Sequence, residues 1–161
     1  MRIKTIKCNK KNYNSKFKRP YNRIKAIVIH NTGNVGDTAE NNGNYFKNND
    51  LSSDYKRSAH FFIDREGNIV RSVYIKYIAY SVKDINPTIY NNANTVSIEL
   101  CDIATKDISE KQLKALNWLI KKIKKKVGEV PIIRHYDVNG KQCPLRYINP
   151  IKWETLRKEL L

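Results

Sequence analysis

The sequence predicts a single α/β domain in which helices flank a central mixed β-sheet. Two observations support this prediction. A chain of 161 residues has the size of one domain with one hydrophobic core. Short apolar runs of strand length also alternate along the chain with segments of helical periodicity, which is the order of elements in α/β proteins. We divide the chain into a basic arm at residues 1–23 and a folded domain at residues 24–161.

The arm is rich in Lys, Arg and Asn and contains Pro20, which predicts an irregular, solvated segment. Residues 2–7 are the stretch of the arm that could add an edge strand to the sheet. The arm lacks the apolar segment of a signal peptide, and no apolar stretch in the chain approaches the length of a membrane span. We therefore expect a protein that is made in the cytoplasm without a classical export signal of its own.

The first strand and the first helix of the domain follow from local patterns. Residues 26–30 form a nearly continuous apolar run, which is typical of a strand buried on both faces. Residues 38–48 predict a helix that turns Tyr45 and Phe46 towards the core, although Gly43 lowers the helix propensity of this segment.

A hairpin, a loop and a further strand follow. Residues 59–64 and 69–72 are two strand-like runs around a Glu-Gly turn, which predicts a β-hairpin. Residues 74–94 combine tyrosines with polar breakers and predict a long loop. Residues 95–101 predict another strand.

The clearest helix begins after Ser109, which forms a capping box with Gln112. Its apolar stripe ends before Gly128, and lysines crowd its C-terminal turns, where the helix dipole favours cations. A short strand at residues 130–134 comes next. A last helix opens at Asn149-Pro150 and is expected to turn four apolar side chains inward, namely Ile151, Trp153, Leu156 and Leu160.

The charge of the chain points to an anionic partner. There are 31 Lys and Arg against 15 Asp and Glu, a formal net charge of +16. Nucleic acid, anionic lipid headgroups and anionic wall polymers all qualify, but no recognisable nucleic-acid-binding motif is present. Three cysteines are an odd number, which excludes a complete disulfide framework and leaves a free or metal-bound thiol.

Two of the three histidines lie at the end of a predicted strand. His30 ends a strand at a turn, and His135 follows another short strand. Cys143 lies eight residues beyond His135. Two imidazoles and a thiolate leave one tetrahedral position open for water, which is the layout of a catalytic zinc site. Taken singly, each of these residues is more often structural.

Glu99 lies between apolar residues of the strand at 95–101. A carboxylate in a buried strand must be paired, protonated or functional, and a solvent-facing surface residue is the alternative. Cys101 lies two residues further and shares the same face of the strand. It is therefore either a competing thiol ligand or a small core residue.

Four segments in order carry a family resemblance: IVIHNTG, SAHFFIDREGNIV, NTVSIELCD and RHYDVNGKQCP. In this combination the chain resembles the type 2 N-acetylmuramoyl-L-alanine amidases, a zinc amidase family that includes phage endolysins, bacterial autolysins and peptidoglycan recognition proteins. The resemblance runs from about Ala26 to the C-terminal helix. It implies a central mixed β-sheet with a zinc cleft on one side, and cleavage of the amide between N-acetylmuramic acid and L-alanine in peptidoglycan.

The resemblance also implies roles for individual residues. His30, His135 and Cys143 match the three zinc ligands of the family. Glu99 matches the acidic residue that acts as general base, and Lys141 matches the lysine beside the developing oxyanion.

Two further matches concern the substrate. His60 matches a histidine that lines the site, and a three-histidine metal site through His60 is the alternative geometry. Some phage members carry a catalytic tyrosine where this chain has Ala59. Family members commonly present an Ala-Trp-His segment to the substrate, and here Tyr80 supplies the aromatic wall while Ser81 cannot replace the imidazole.

The resemblance implies peptidoglycan as the partner and one zinc ion per chain as the cofactor, with the net charge of +16 holding a monomer to anionic wall polymers. The protein is expected to reach the wall after phage-type release or by non-classical export. Two other classes of function stay open: a peptidoglycan-binding module without catalysis, and a basic nucleic-acid-binding protein whose Tyr-rich loop stacks on bases.

Overall fold

The computed structural model describes residues 1–53, 55–83 and 89–160. Six strands form a mixed sheet in the order β1-β5-β4-β7-β3-β8, and β2 and β6 form a small second sheet. All neighbours in the large sheet are parallel except β4 and β5, which form the predicted hairpin. The strands are β1 (Ile3–Thr5), β2 (Tyr13–Asn14), β3 (Ala26–Asn31), β4 (Phe61–Ile63), β5 (Ile69–Arg71), β6 (Ile78–Ala79), β7 (Thr95–Leu100) and β8 (Ile132–Arg134).

Four α-helices accompany the strands within the described residues: α1 (Ala39–Asn48), α2 (Glu110–Val127), α3 (His135–Asn139) and α4 (Pro150–Glu159). The predicted α/β class with a central mixed sheet is thus confirmed. Within the same ranges, no helix combines the length and the apolar character that crossing a bilayer requires.

The main core lies between α2 and one face of the sheet. Side chains alternate along a strand, so Ile27 and Ile29 of β3 face α2 together with Ile98 and Leu100 of β7. Burial of each such side chain stabilises the fold by roughly 1.5–3 kcal/mol. The intervening residues of the same strands, including His30 and Glu99, face the other way. This alternation places the polar site on the face opposite α2.

Helix α1 packs on that opposite face. Thr38 caps it by accepting a hydrogen bond from the backbone N–H of Asn41. A Cβ at Gly43 would lie 2.8 Å from Cγ1 of Val70, so glycine permits the close crossing of α1 over β5. The expectation that Tyr45 points inward is wrong, since Tyr45 is 44% exposed. The inward stripe runs through Gly43 to Phe46, which stacks on Phe62.

Helix α2 begins as predicted at Ser109, whose hydroxyl accepts from the backbone N–H of Gln112. A full capping box also requires the Gln112 side chain to accept from the backbone N–H of Ser109, and this bond is not formed between these two described residues. The Gln112 side chain instead donates to the carbonyls of Ile63 and Cys101. It therefore ties the start of α2 to the ends of β4 and β7. Gly128, with φ of +88°, ends the helix.

The arm is more ordered than its composition predicts. Strand β1 lies within the predicted stretch of residues 2–7 and pairs with β5 at the edge of the sheet. Ile6 and Cys8 are buried, and so is Arg19, which donates to the carbonyls of Ile75 and Asn92. The arm is therefore anchored to the domain at these widely spaced positions, which its average composition does not reveal, while most of its other residues are exposed as predicted.

Two other local expectations change in the structure. The predicted loop at residues 74–94 contains strand β6 and a short 3-10 turn at Asn92–Asn94, while its residues 84–88 lie outside the described part. In α4, Trp153 and Leu156 are buried as predicted, but Ile151 is 77% exposed. Ile151 stands two residues before Trp153 and so lies on roughly the opposite side of the helix, which faces solvent.

Candidate metal centre

Three potential ligands converge on the sheet face opposite α2. One ligand atom from each of His30, His135 and Cys143 lies within 4.8 Å of the other two. The side chains are almost fully buried, at 2%, 2% and 6% exposed. Within the described residues, this is the group of His, Cys, Asp and Glu side chains that could hold a metal ion.

The two histidines meet because their strands are neighbours. His30 lies near the C-terminal end of β3, and His135 begins α3 directly after β8, which runs parallel to β3. The ring centroids are 4.7 Å apart in an edge-to-face arrangement. Asp137 fixes the start of α3 by accepting hydrogen bonds from the backbone N–H and the guanidinium of Arg134.

The loop that carries Cys143 is held against both histidine-bearing segments. The Cys143 carbonyl accepts from the backbone N–H of Tyr136, and the backbone N–H of Asn31 lies 3.5 Å from Sγ of Cys143. The Asn31 side chain also accepts from the backbone N–H of Leu145, at 2.7 Å. A supporting role for Asn31 was not predicted, and its place directly after His30 was the available signal in the sequence.

The histidines are suited to binding a cation in their neutral form. Burial lowers the pKa of His30 well below its usual value, and the charges of His135 and Lys141 lower it further. Burial, followed by the charge of Lys141, lowers the pKa of His135 to about 4. Nε2 of His30 and both ring nitrogens of His135 are buried without a hydrogen-bond partner. Such orphaned lone pairs are costly unless a cation or water satisfies them.

Burial has the opposite effect on the thiol. It raises the pKa of Cys143 to about 12, and the carboxylate of Glu99 contributes to the increase. The free thiol is therefore protonated near neutral pH, and a bound cation would have to displace its proton. Two neutral imidazoles and a displaceable thiol proton fit a tetrahedral zinc site with one open position.

Glu99 stands at the edge of the same cluster. It pairs in register with His30 across β3 and β7, and its Oε1 lies 4.0 Å from Nδ1 of His30. The side chain is 20% exposed and is therefore mostly buried. Burial raises its pKa to about 7, against a smaller lowering by the charge of Lys141. This carboxylate can accept or release a proton near neutral pH.

A cavity of about 530 Å³ opens over the cluster and is called the metal cavity here. His30, Glu99, His135 and Cys143 line it, as does the exposed Lys141. The five residues that sequence analysis assigned to metal binding and catalysis are thus brought together by the fold.

Tyr80 lines the wall of the metal cavity, as predicted for an aromatic substrate contact, and Ser81 lies beside it. Arg57 and Lys83 also line it and were not predicted. Arg57 also lines a neighbouring cavity of about 740 Å³, and the two adjoining cavities are together called the groove here. Its place just before the Ser-Ala-His segment was the available signal in the sequence.

His60 does not line the metal cavity. It is buried, with Nδ1 3.0 Å from the Ser97 hydroxyl and Nε2 2.9 Å from Nη2 of Arg19. Both ring nitrogens are engaged by protein groups, so the predicted substrate contact through His60 does not fit the structure. The same engagement argues against the alternative metal site with three histidines. His60 instead links the arm to strand β7.

Cys101 is a core residue. It is buried among apolar side chains that include Ile6 and Phe62, and its sulfur lies 3.6 Å from the side-chain nitrogen of Asn42. Burial is the main cause that raises the pKa of this thiol. Of the two interpretations open from the sequence, the structural one holds.

Comparison with known proteins places the chain among peptidoglycan amidases. The sequence matches the family model described as N-acetylmuramoyl-L-alanine amidase over residues 20–146. It is 31% identical over 133 residues to a probable N-acetylmuramoyl-L-alanine amidase of Bacillus licheniformis. That alignment covers 78% of this chain but 37% of the relative, so the chain spans well under half of the relative's length.

Solved structures share the fold. A mutant endolysin from Bacillus subtilis superimposes with a TM-score of 0.77 at 23% identity and covers 100% of this chain and 99% of its own. The catalytic domain of XlyA gives a TM-score of 0.78 at 22% identity, with 100% of both chains covered. These likenesses show the shared fold. The family match over residues 20–146 and the relative of 31% identity confirm the resemblance seen in the four segments: the chain belongs to the type 2 N-acetylmuramoyl-L-alanine amidase family.

Proposed function

We propose that this chain hydrolyses the amide bond between N-acetylmuramic acid and L-alanine in bacterial peptidoglycan, and that His30, His135 and Cys143 hold one zinc ion for this reaction. The observation that carries the proposal is the convergence of these three side chains beside Glu99 in an open cavity. Family membership supports the choice of substrate.

The residues fit zinc better than a hard cation. A thiolate and two imidazoles are soft or borderline ligands, whereas Mg²⁺ and Ca²⁺ prefer oxygen. When bound, zinc would supply a Lewis acid that polarises an amide carbonyl and lowers the pKa of a water molecule to about 7.

Glu99 is the proposed general base. Its carboxylate faces the metal cavity next to His30, where it can take a proton from the attacking water. The same group can then deliver this proton to the nitrogen of the departing L-alanine, which leaves as an amine. General acid–base catalysis of this kind contributes roughly 10²–10⁴ in rate.

Lys141 is the proposed stabiliser of the oxyanion that forms at the amide carbonyl. It lines the metal cavity, and within the described residues it forms no ion pair with a carboxylate. An ammonium group held ready for developing negative charge contributes roughly 10²–10³ in rate. Its charge also lowers the pKa of both histidines, which favours their neutral, metal-binding form.

The groove suits a polymeric substrate. The metal cavity and the adjoining cavity share Arg57 and Glu99, so a chain passing the metal centre can contact both. Tyr80 offers an aromatic surface to the part of the substrate in the metal cavity. We expect a monomer that reaches the wall after phage-type release or by non-classical export, lyses it, and is retained there by anionic wall polymers.

Mass spectrometry of purified peptidoglycan after digestion tests the proposal. New free L-alanine amino termini without new reducing sugars are expected from an amidase. New reducing ends would instead indicate a glycosidase, and an unchanged polymer that retains the protein would indicate a binding module without catalysis. The Glu99→Gln variant serves as the matched inactive control.

A further inference from the structure

A second cavity, here called the basic cavity, lies on the α2 side of the sheet and has a volume of about 310 Å³. Its floor is made of apolar residues of β4 and α2. The polar part of its wall consists of four cations and two tyrosines: Arg71, Lys76, Lys122, Lys126, Tyr21 and Tyr74. None of the residues that line it is a carboxylate. The basic cavity therefore gathers positive charge without an internal counter-charge.

The same cations have no acidic partner elsewhere in the described part of the chain. Among the ion pairs formed by described residues, none includes Arg71, Lys76, Lys122 or Lys126. By contrast, Lys124 on the same helix pairs with Glu129. Like charges around one concavity repel each other, and an anion in the cavity would relieve this repulsion.

Arg71 is held in place for such an anion. Its Nη2 donates to the hydroxyl of Thr5 at 2.7 Å, and its guanidinium carbon lies 4.1 Å from the ring centroid of Tyr74. Its Nε is buried without an acceptor. The orientation of the group is therefore fixed by contacts that leave its charge uncompensated. A planar guanidinium of this kind is well suited to phosphate.

The arrangement favours a flexible polyol phosphate over a nucleic acid. Lys122 and Lys126 are one helical turn apart, about 6 Å along the axis, a spacing that one repeat of a polyol phosphate chain can span. Cations already approach both rings at the wall, with Arg71 and Lys76 near Tyr74 and Lys126 near Tyr21, and they would compete with bases for the ring faces. Bases would need free ring faces on which to stack.

We propose that the basic cavity binds the phosphodiester groups of a polyol phosphate polymer of the bacterial wall. Because His30 and Glu99 face the opposite side of the sheet, a polymer in the basic cavity leaves the substrate groove open. The site thus anchors the domain to the wall while the groove is engaged. This inference rests on the retention by anionic wall polymers proposed above and does not depend on the proposed hydrolysis, so binding and hydrolysis can each fail without the other.

The test compares two pairs of lysines on one helix. The variant Lys122→Gln/Lys126→Gln removes two cations from the basic cavity, and Lys121→Gln/Lys125→Gln removes two exposed cations of α2 that do not line it. Affinity for poly(glycerol phosphate) is measured by isothermal titration calorimetry at low salt. We expect the first pair to lower affinity about tenfold and the second less than about twofold. Equal losses, or no loss from the first pair, would overturn the proposal.

Two further measurements complete the design. Polyglutamate and single-stranded DNA of matched charge are titrated against the same proteins. Equal or tighter binding of either, with the same dependence on Lys122 and Lys126, would refute selectivity for polyol phosphate. Melting temperature and hydrolysis of a soluble muropeptide should be unchanged in both lysine pairs. Lys76→Gln, which lies outside α2, provides a second variant should the helix substitutions disturb the fold.

Discussion

Glu99 lies directly across from His30 on the neighbouring parallel strand, with 4.0 Å between Oε1 and Nδ1. This register places a carboxylate of raised pKa at the rim of a cluster of metal-binding side chains. A shift by one residue would turn Glu99 to the α2 face and bury its charge in the apolar core. The pairing of β3 with β7 therefore determines both the packing of the core and the position of the proposed base.

Glu99→Gln should leave the fold and the metal content intact and lower muropeptide hydrolysis by roughly 10²–10⁴. The amide has the shape of the carboxylate but cannot accept the proton of the attacking water. Hydrolysis by liquid chromatography and zinc by elemental analysis are the measurements. Near-normal hydrolysis by the folded, zinc-loaded variant would show that Glu99 is only structural.

Cys143→Ser should strongly reduce the zinc retained per folded chain, because a hydroxyl replaces the thiolate ligand. His60→Ala is the matched comparison and should keep its zinc, since both nitrogens of His60 are engaged elsewhere. The zinc content of both variants is measured after dialysis against a weak chelator. Full zinc occupancy in Cys143→Ser together with loss of zinc in His60→Ala would show that three histidines bind the metal instead.

Asn31→Ala should weaken zinc binding about 10- to 100-fold, the usual effect of removing a group that orients a ligand. The substitution deletes the acceptor for the Leu145 backbone N–H and so loosens the loop that carries Cys143. Asn34→Ala, at an exposed position of the adjoining cavity, is the control and should bind zinc normally. Competition with a zinc-binding dye measures both affinities, and equal values would remove Asn31 from the site.

Gly43→Ala should destabilise the protein by about 1–3 kcal/mol through overpacking. In an isolated helix the same change stabilises by nearly 1 kcal/mol, so the sign distinguishes packing from propensity. The new Cβ would meet Cγ1 of Val70 at 2.8 Å. In a Val70→Ala background the cost should therefore shrink, which urea unfolding of the four proteins in the cycle can measure. A stabilising effect in the native background would contradict the close crossing of α1 over β5.

Binding to wall fragments should weaken steadily from low to physiological salt, because screening shortens the range of surface charge to about 8 Å at 0.15 M. Turnover of a small soluble muropeptide should change much less, since Glu99 and Lys141 act at short range within the metal cavity. Sedimentation with purified walls and a muropeptide assay give the two salt profiles. Wall binding that is independent of salt would leave the net charge of +16 as a feature of solubility alone.

Much of the fold was predictable from local patterns, and the candidate site was predicted from residue types together with the family resemblance. The apolar runs that become β3 and β7, the long amphipathic helix α2 and the hairpin of β4 and β5 all formed as expected. His30, His135 and Cys143 could be proposed as ligands because their residue types are rare in this chain and follow strands or turns. Chemical identity and local periodicity are properties of short segments, so they are visible before folding.

Contacts between distant segments were not predictable in the same way. The burial of Arg19, the engagement of His60 and the exposure of Tyr45 each depend on which neighbour packs against the residue. Asn31 and Arg57 carry no periodic signal, and their roles emerge only where loops from separate parts of the chain meet.

The lysines of α2 separate what the sequence determines from what only the tertiary structure decides. The sequence by itself determined that α2 is a helix with an apolar stripe and a basic C-terminal half. Only the tertiary structure decided that Lys122 and Lys126 line a cavity with Arg71 while Lys121 and Lys125 do not. Periodicity determines which side chains share a face of an element. The neighbour that each face meets depends on how elements far apart in the sequence dock.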